Sequence, residues 1–78
     1  MSKITVLKHR GDTDEVKMSN CGMIGILCTK YGEMRVIKYG ANWAELASVF
    51  YTSKAYAVKK AKEIICEYVQ AYLDGTLK

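Results

Sequence analysis

The chain has 78 residues, half of them hydrophobic, with no proline and a formal net charge of +4. One domain spanning residues 1–78 is expected, and a chain of this length buries only about 60% of its unfolded surface. The composition excludes a disordered or low-complexity protein, and the most apolar run, Cys21 to Cys28, is too short for a membrane span of about 20 residues. The charge is spread, at +2 over 1–30, 0 over 31–51 and +2 over 52–78, without the dense basic stripe of most nucleic-acid binders.

Met1-Ser2-Lys3 leads straight into a strand pattern, with no signal-peptide signature. The three cysteines form an odd set without Cys-x-x-Cys spacing, which fits free thiols in a reducing compartment. A cytoplasmic protein is therefore expected, or one in the host cytoplasm if a phage encodes it.

Lys3 to Arg10 alternates Ile4 and Val6 against Lys3 and Thr5, the pattern of a strand. Gly11-Asp12-Thr13-Asp14 supplies turn residues. A second strand resumes near Glu15, with Val16 and Met18 on one face, so the two strands form a hairpin. Asn20-Cys21-Gly22 interrupts the pattern before Met23 to Cys28. Either one long strand is bent by a bulge at Gly22 or Gly25, or two strands are separated by a break. Lys30-Tyr31-Gly32-Glu33 is a tight turn. Met34 to Tyr39 is the next strand, with Met34 and Val36 on one face and Arg35, Ile37 and Tyr39 on the other.

Gly40-Ala41-Asn42 turns the chain, and the next segment has two readings. As a strand, it sets Trp43, Glu45, Ala47, Val49 and Tyr51 against Ala44, Leu46, Ser48 and Phe50, and Val49-Phe50-Tyr51 favours this reading. As a helix, Asn42 and Glu45 have capping-box spacing, and Trp43, Leu46, Ala47 and Phe50 share a face. The helical reading would allow a helix-turn-helix with the C-terminal segment, although Tyr51 stands where that motif wants glycine.

The last segment has the clearest signal. Thr52 or Ser53 can cap a helix. Ala57, Val58, Ala61, Ile64, Ile65, Tyr68, Val69 and Tyr72 form one apolar arc at 100° per residue. Lys59, Lys60, Glu63, Glu67, Gln70 and Asp74 lie opposite, and Gly75 is placed to end the helix. The fold class is thus α+β: a small antiparallel sheet of three or four strands, in meander order, packed by one long C-terminal helix. A rod of about 31 Å outreaches a seven-residue strand of about 23 Å. The end carrying Tyr68, Tyr72 and Leu73 is therefore expected to overhang the sheet and to be covered by a homodimer contact or a stable partner.

Ser53, Ala57, Val58, Ala61, Lys62, Glu63, Ile65, Tyr68, Val69 and Ala71 resemble the helix of HicB-type antitoxins, which follows a three-stranded meander. The resemblance covers about a quarter of the chain. It implies a non-catalytic protein that neutralises a partner.

Chemistry-bearing residues are sparse. His9, Cys21, Cys28 and Cys66 are the right number for a structural zinc site, but Cys21 and Cys28 are seven apart and would take opposite faces of an unbroken strand. Buried small cysteines and a surface histidine are the preferred reading, and no metal or cofactor is expected. One histidine without a motif is thin support for a catalytic nucleophile. Asp12, Asp14 and Glu15 are expected as solvated turn charges. No phosphate-binding glycine loop is present.

Two features point to a partner. Lys54, Lys59, Lys60 and Lys62 crowd the positive end of the helix dipole, where free N–H groups and Lys54 would suit an acidic surface. The sheet face away from the helix is expected to carry Arg35, Ile37 and Tyr39, with Trp43 or Tyr51. Such residues are common interface anchors, but aromatics facing the helix would be core instead. The expectation is a non-enzymatic inhibitor that sterically blocks a protein or ribonucleoprotein through Tyr31, Arg35, Tyr39, Lys54, Lys59 and Lys60. In size and simplicity the chain is similar to the small stand-alone inhibitors of phages and mobile elements, such as anti-CRISPR proteins and antitoxins. The alternative is a small nucleic-acid-binding module using the same basic and aromatic residues.

Overall fold

A computed structural model describes residues 3–77. Five antiparallel strands run in sequence order across one sheet: β1 (Ile4–His9), β2 (Thr13–Met18), β3 (Cys21–Cys28), β4 (Glu33–Lys38) and β5 (Ala44–Phe50). One helix, α1 (Lys54–Leu73), crosses one face. The class and the meander are as expected; the sheet is wider than the three or four strands foreseen. The break reading is the right one at Asn20, because Ser19 and Asn20 form a turn and Met18 lies opposite Cys21.

The helix begins and ends for local reasons. Ser53 has extended backbone angles, and its hydroxyl accepts from the Tyr56 N–H at 3.2 Å. At the far end Gly75 takes φ +74°. The carbonyls of Gln70, Tyr72 and Ala71 then accept from the N–H groups of Asp74, Gly75 and Thr76, so the last turn leaves few orphan acceptors.

Ala57, Ala61, Ile65 and Val69 are the buried stripe of α1, with Val58, Ile64, Tyr68 and Tyr72 packed at its margins. Opposite them on the sheet are Val16, Ile24, Ile26, Cys28, Met34 and Val36. The row Val6, Val16, Ile26, Val36, Ala47 runs across all five strands in register. Small Ala57 and Ala61 let the helix backbone approach closely. The helix packs on β3, β2 and β4 in decreasing order, which leaves the edge strands β1 and β5 beyond its width.

Two irregularities shape the sheet. Between β2 and β3, the step from Val16 to Met18 answers the step from Ile26 to Cys21. The regular alternation of β3 is lost there, so Cys21 and Cys28 enter the same core instead of opposite faces. Between β4 and β5, Val36 opposes Ala47 while Ile37 opposes Glu45. That bulge breaks the expected alternation of residues 43–51. Glu45, Ser48 and Phe50 share the side away from the helix, and Ala44, Ala47 and Val49 share the other. The strand also removes the helical and helix-turn-helix readings of this segment.

Gly32 closes the β3–β4 turn at φ +91°, and a Cβ there would run into the Tyr51 carbonyl. The Gly32 carbonyl accepts from the Tyr51 N–H at 2.8 Å. This turn therefore fixes where the chain leaves β5 for the helix. Among the described residues no helix is long and apolar enough to cross a membrane.

Candidate functional site: the uncovered sheet face

Among the described residues, the sheet face opposite α1 has no second layer. By register it carries Leu7, Glu15, Leu27, Arg35 and Ser48 in one row, and Gly25, Ile37 and Glu45 in the next. Its side chains close over one another. Ile37 is 0% exposed although no helix lies on its side. Gly25 and Glu45 flank it across the strands, and Arg35 on β4 and Tyr39 just past its end flank it along the chain.

Glu15 is the centre of this face. It was expected as a solvated turn charge, yet it lies within β2 and is 4% exposed. The Tyr39 hydroxyl donates to its Oε2, and His9 Nε2 lies 3.0 Å from its Oε1. Gly25 makes the arrangement possible, because a Cβ there would overlap the Glu15 carboxylate and press on the Tyr39 ring. Burial, and the hydrogen bond to Glu15, push the Tyr39 hydroxyl well above the usual tyrosine range, so it stays a donor. Lys17 Nζ lies 5.0 Å from the Tyr39 ring centre. A shallow depression of about 550 Å³ borders the group, lined by His9, Arg10, Thr13, Glu15, Leu27 and Tyr39.

A second cluster lies towards β5. Arg35 Nε donates to Glu45 Oε1 at 2.5 Å, and its guanidinium lies 5.7 Å from the Trp43 ring centre. Glu45 holds the Arg35 pKa above its ordinary value. Arg35, Ile37, Tyr39 and Trp43 thus share the open face. Tyr51 does not: it packs against the core and meets Tyr56 edge-on at 5.2 Å.

The six residues expected to bind a partner do not form one surface. Arg35 and Tyr39 are on the open face. Tyr31 is 74% exposed at the tip of the β3–β4 turn. Lys59 is on the outer face of α1, and Lys60 is drawn to Glu63 at 3.5 Å and to the Tyr56 ring. Lys54 is engaged internally, donating to the Asp12 carbonyl at 3.2 Å and to Asp14 Oδ1 at 3.4 Å. Asp14, a second presumed turn charge, is 4% exposed. Its hydrogen bond from Lys8, aided by Lys54, holds its carboxyl below the usual range. At the start of the helix, Ser53 thus caps the Tyr56 N–H while Asp14 holds the Lys54 ammonium.

The far end of α1 is partly covered by its own chain. Tyr68 and Tyr72 are half-buried, Leu77 packs back against the core, and Leu73 remains exposed. The three cysteines are free, with Cys21 and Cys28 buried and Cys66 on the surface. Burial pushes the Cys28 thiol up to about 11, which leaves it protonated and unreactive at neutral pH. Among the described residues no cluster of His, Cys, Asp or Glu could hold a metal ion.

Sequence reasoning missed Glu15 and His9 as members of the site. The available signal was the alternation Glu15-Val16-Lys17, which sets Glu15 opposite a core valine. Its partner Tyr39 is 24 residues away, and no local pattern announces that pairing. No protein-family model matches the chain, and no significant match is found among curated proteins or solved structures.

Proposed function

We propose that the chain is a non-catalytic binding protein, an inhibitor that works by occupying the surface of a protein or ribonucleoprotein, and that the uncovered sheet face does the docking. The observation that carries this reading is the self-braced state of that face. Glu15, Tyr39 and His9 hold one another, as do Arg35, Glu45 and Trp43, while Leu7 stays 45% exposed beside them. Side chains ordered before contact lose little entropy on binding. Aromatic and arginine anchors beside an apolar contact are the usual composition of a docking centre.

The charges on the face favour a protein surface over a phosphate backbone. Glu15, Glu33 and Glu45 interleave with Lys17 and Arg35, so the face has no uniform basic character. The test is affinity capture from nuclease-treated extract at low and at physiological salt. A protein retained under both conditions supports the reading. Retention that needs intact nucleic acid and falls steeply with salt overturns it in favour of a nucleic-acid-binding module.

A further inference from the structure

The two edges of the sheet are unlike. β1 carries Lys8 and His9 and is flanked by Lys3 and Arg10, the kind of charged edge that resists pairing with another strand. The edge at β5 has no such guard. Its seven residues hold one charge, Glu45, already paired with Arg35 at 2.5 Å. Among the described residues no helix covers it, and no proline interrupts it. Trp43, Val49 and Phe50, along and beside this strand, are 52%, 41% and 70% exposed.

We infer that β5 pairs edge to edge with β5 of a second copy of this chain, antiparallel about a twofold axis normal to the sheet. The bulge makes the strand self-complementary. An antiparallel self-pairing centred between Leu46 and Ala47 sets Trp43 opposite Phe50 of the second copy, Ala44 opposite Val49, and Glu45 opposite Ser48. Trp43, Glu45, Ser48 and Phe50 all lie on the open face, and Ala44 and Val49 on the helix face, so each pair keeps to one side. A regular strand would put the two members of each pair on opposite faces in this register.

The chemistry of the pairs also fits a second copy. Two aromatic pairs form, each bringing one ring against another. A small residue meets a branched one. The glutamates face serines, so no like charges meet. The neutral middle of the chain is brought together while its basic parts stay apart. A ten-stranded sheet results, with both helices on the same side and both open faces continuous on the other.

The experiment uses the pure 78-residue chain, so its outcome is separate from any partner. Light-scattering mass is followed over a concentration series, alongside the emission of Trp43, the single tryptophan. The expected mass climbs from 8.8 kDa towards twice that value, and the emission shifts to the blue over the same range as Phe50 covers the indole. Val49→Lys and Phe50→Lys replace exposed side chains and should keep wild-type circular dichroism while remaining monomeric throughout. A wild-type chain that stays monomeric at millimolar concentration overturns the inference. So does a dimer that survives Val49→Lys, or one broken only by Leu73→Lys at the end of the helix.

Discussion

Removing one oxygen atom tests the polar centre of the open face. Tyr39→Phe keeps the ring over Gly25 and deletes the hydroxyl that donates to Glu15. Glu15 is 4% exposed, so water cannot readily replace the lost donor. A hydrogen bond to a charged group contributes about 1.5–3 kcal/mol, and a domain of this size loses roughly 4–8 °C of Tm per kcal/mol. The expected fall in Tm is therefore on the order of 10 °C. Thermal unfolding followed by circular dichroism reads it directly.

The pH dependence of that loss has a definite sign. The folded state holds the Tyr39 proton well beyond the usual tyrosine range, whereas the unfolded chain releases it near about pH 10. The hydroxyl's contribution is thus fully present below that pH and is lost as the pH rises above it. The gap between wild type and Tyr39→Phe should stay constant from neutral pH to about 10 and narrow beyond. Gly25→Ala should act on the same contact, because its methyl displaces the Glu15 carboxylate. The double variant should therefore cost little more than the worse single variant. A Tyr39→Phe protein with unchanged Tm, or losses that simply add, would refute this coupling.

Three further substitutions probe the turn, the core and the start of the helix. Gly32→Ala places a Cβ at φ +91° against the Tyr51 carbonyl and should cost at least about 2 kcal/mol in denaturant unfolding. Ile65→Ala empties a fully buried position under the helix and should cost about 2–5 kcal/mol. Asp14 titrates below its ordinary 3.8 because of Lys8 and Lys54, so the stability it adds is present above about pH 4 and lost as the pH falls further. Asp14→Asn should accordingly be less stable than wild type at neutral pH, and the gap should close in acid, as measured by urea midpoints.

What the sequence made legible was whatever depends on periodicity. The arc from Ala57 to Tyr72 recurs at helical spacing, and the strand pattern of Met34 to Tyr39 placed Arg35, Ile37 and Tyr39 together on the open face. What it concealed depends on contacts between distant strands. Asp14 and Glu15 looked like turn residues because they come just after Gly11-Asp12. Their burial requires Lys54 and Tyr39, which only the register delivers. The β5 bulge was equally hidden, since Leu46 and Ala47 differ little from any other apolar pair, and with it the true faces of Ser48, Val49 and Phe50. Lys54 counted as a free cation only while Asp14 was assumed to be in water.

Docking through the open face is tested most directly by substitutions divided between the two sides of the molecule, in a capture assay on nuclease-treated extract. Leu7→Ser and Arg35→Ala alter the open face, while Lys59→Glu alters the outer face of α1. The captured protein should be lost with the first two variants and retained with the third. Retention with both open-face variants and loss with Lys59→Glu would place the contact on the helix and contradict the proposal.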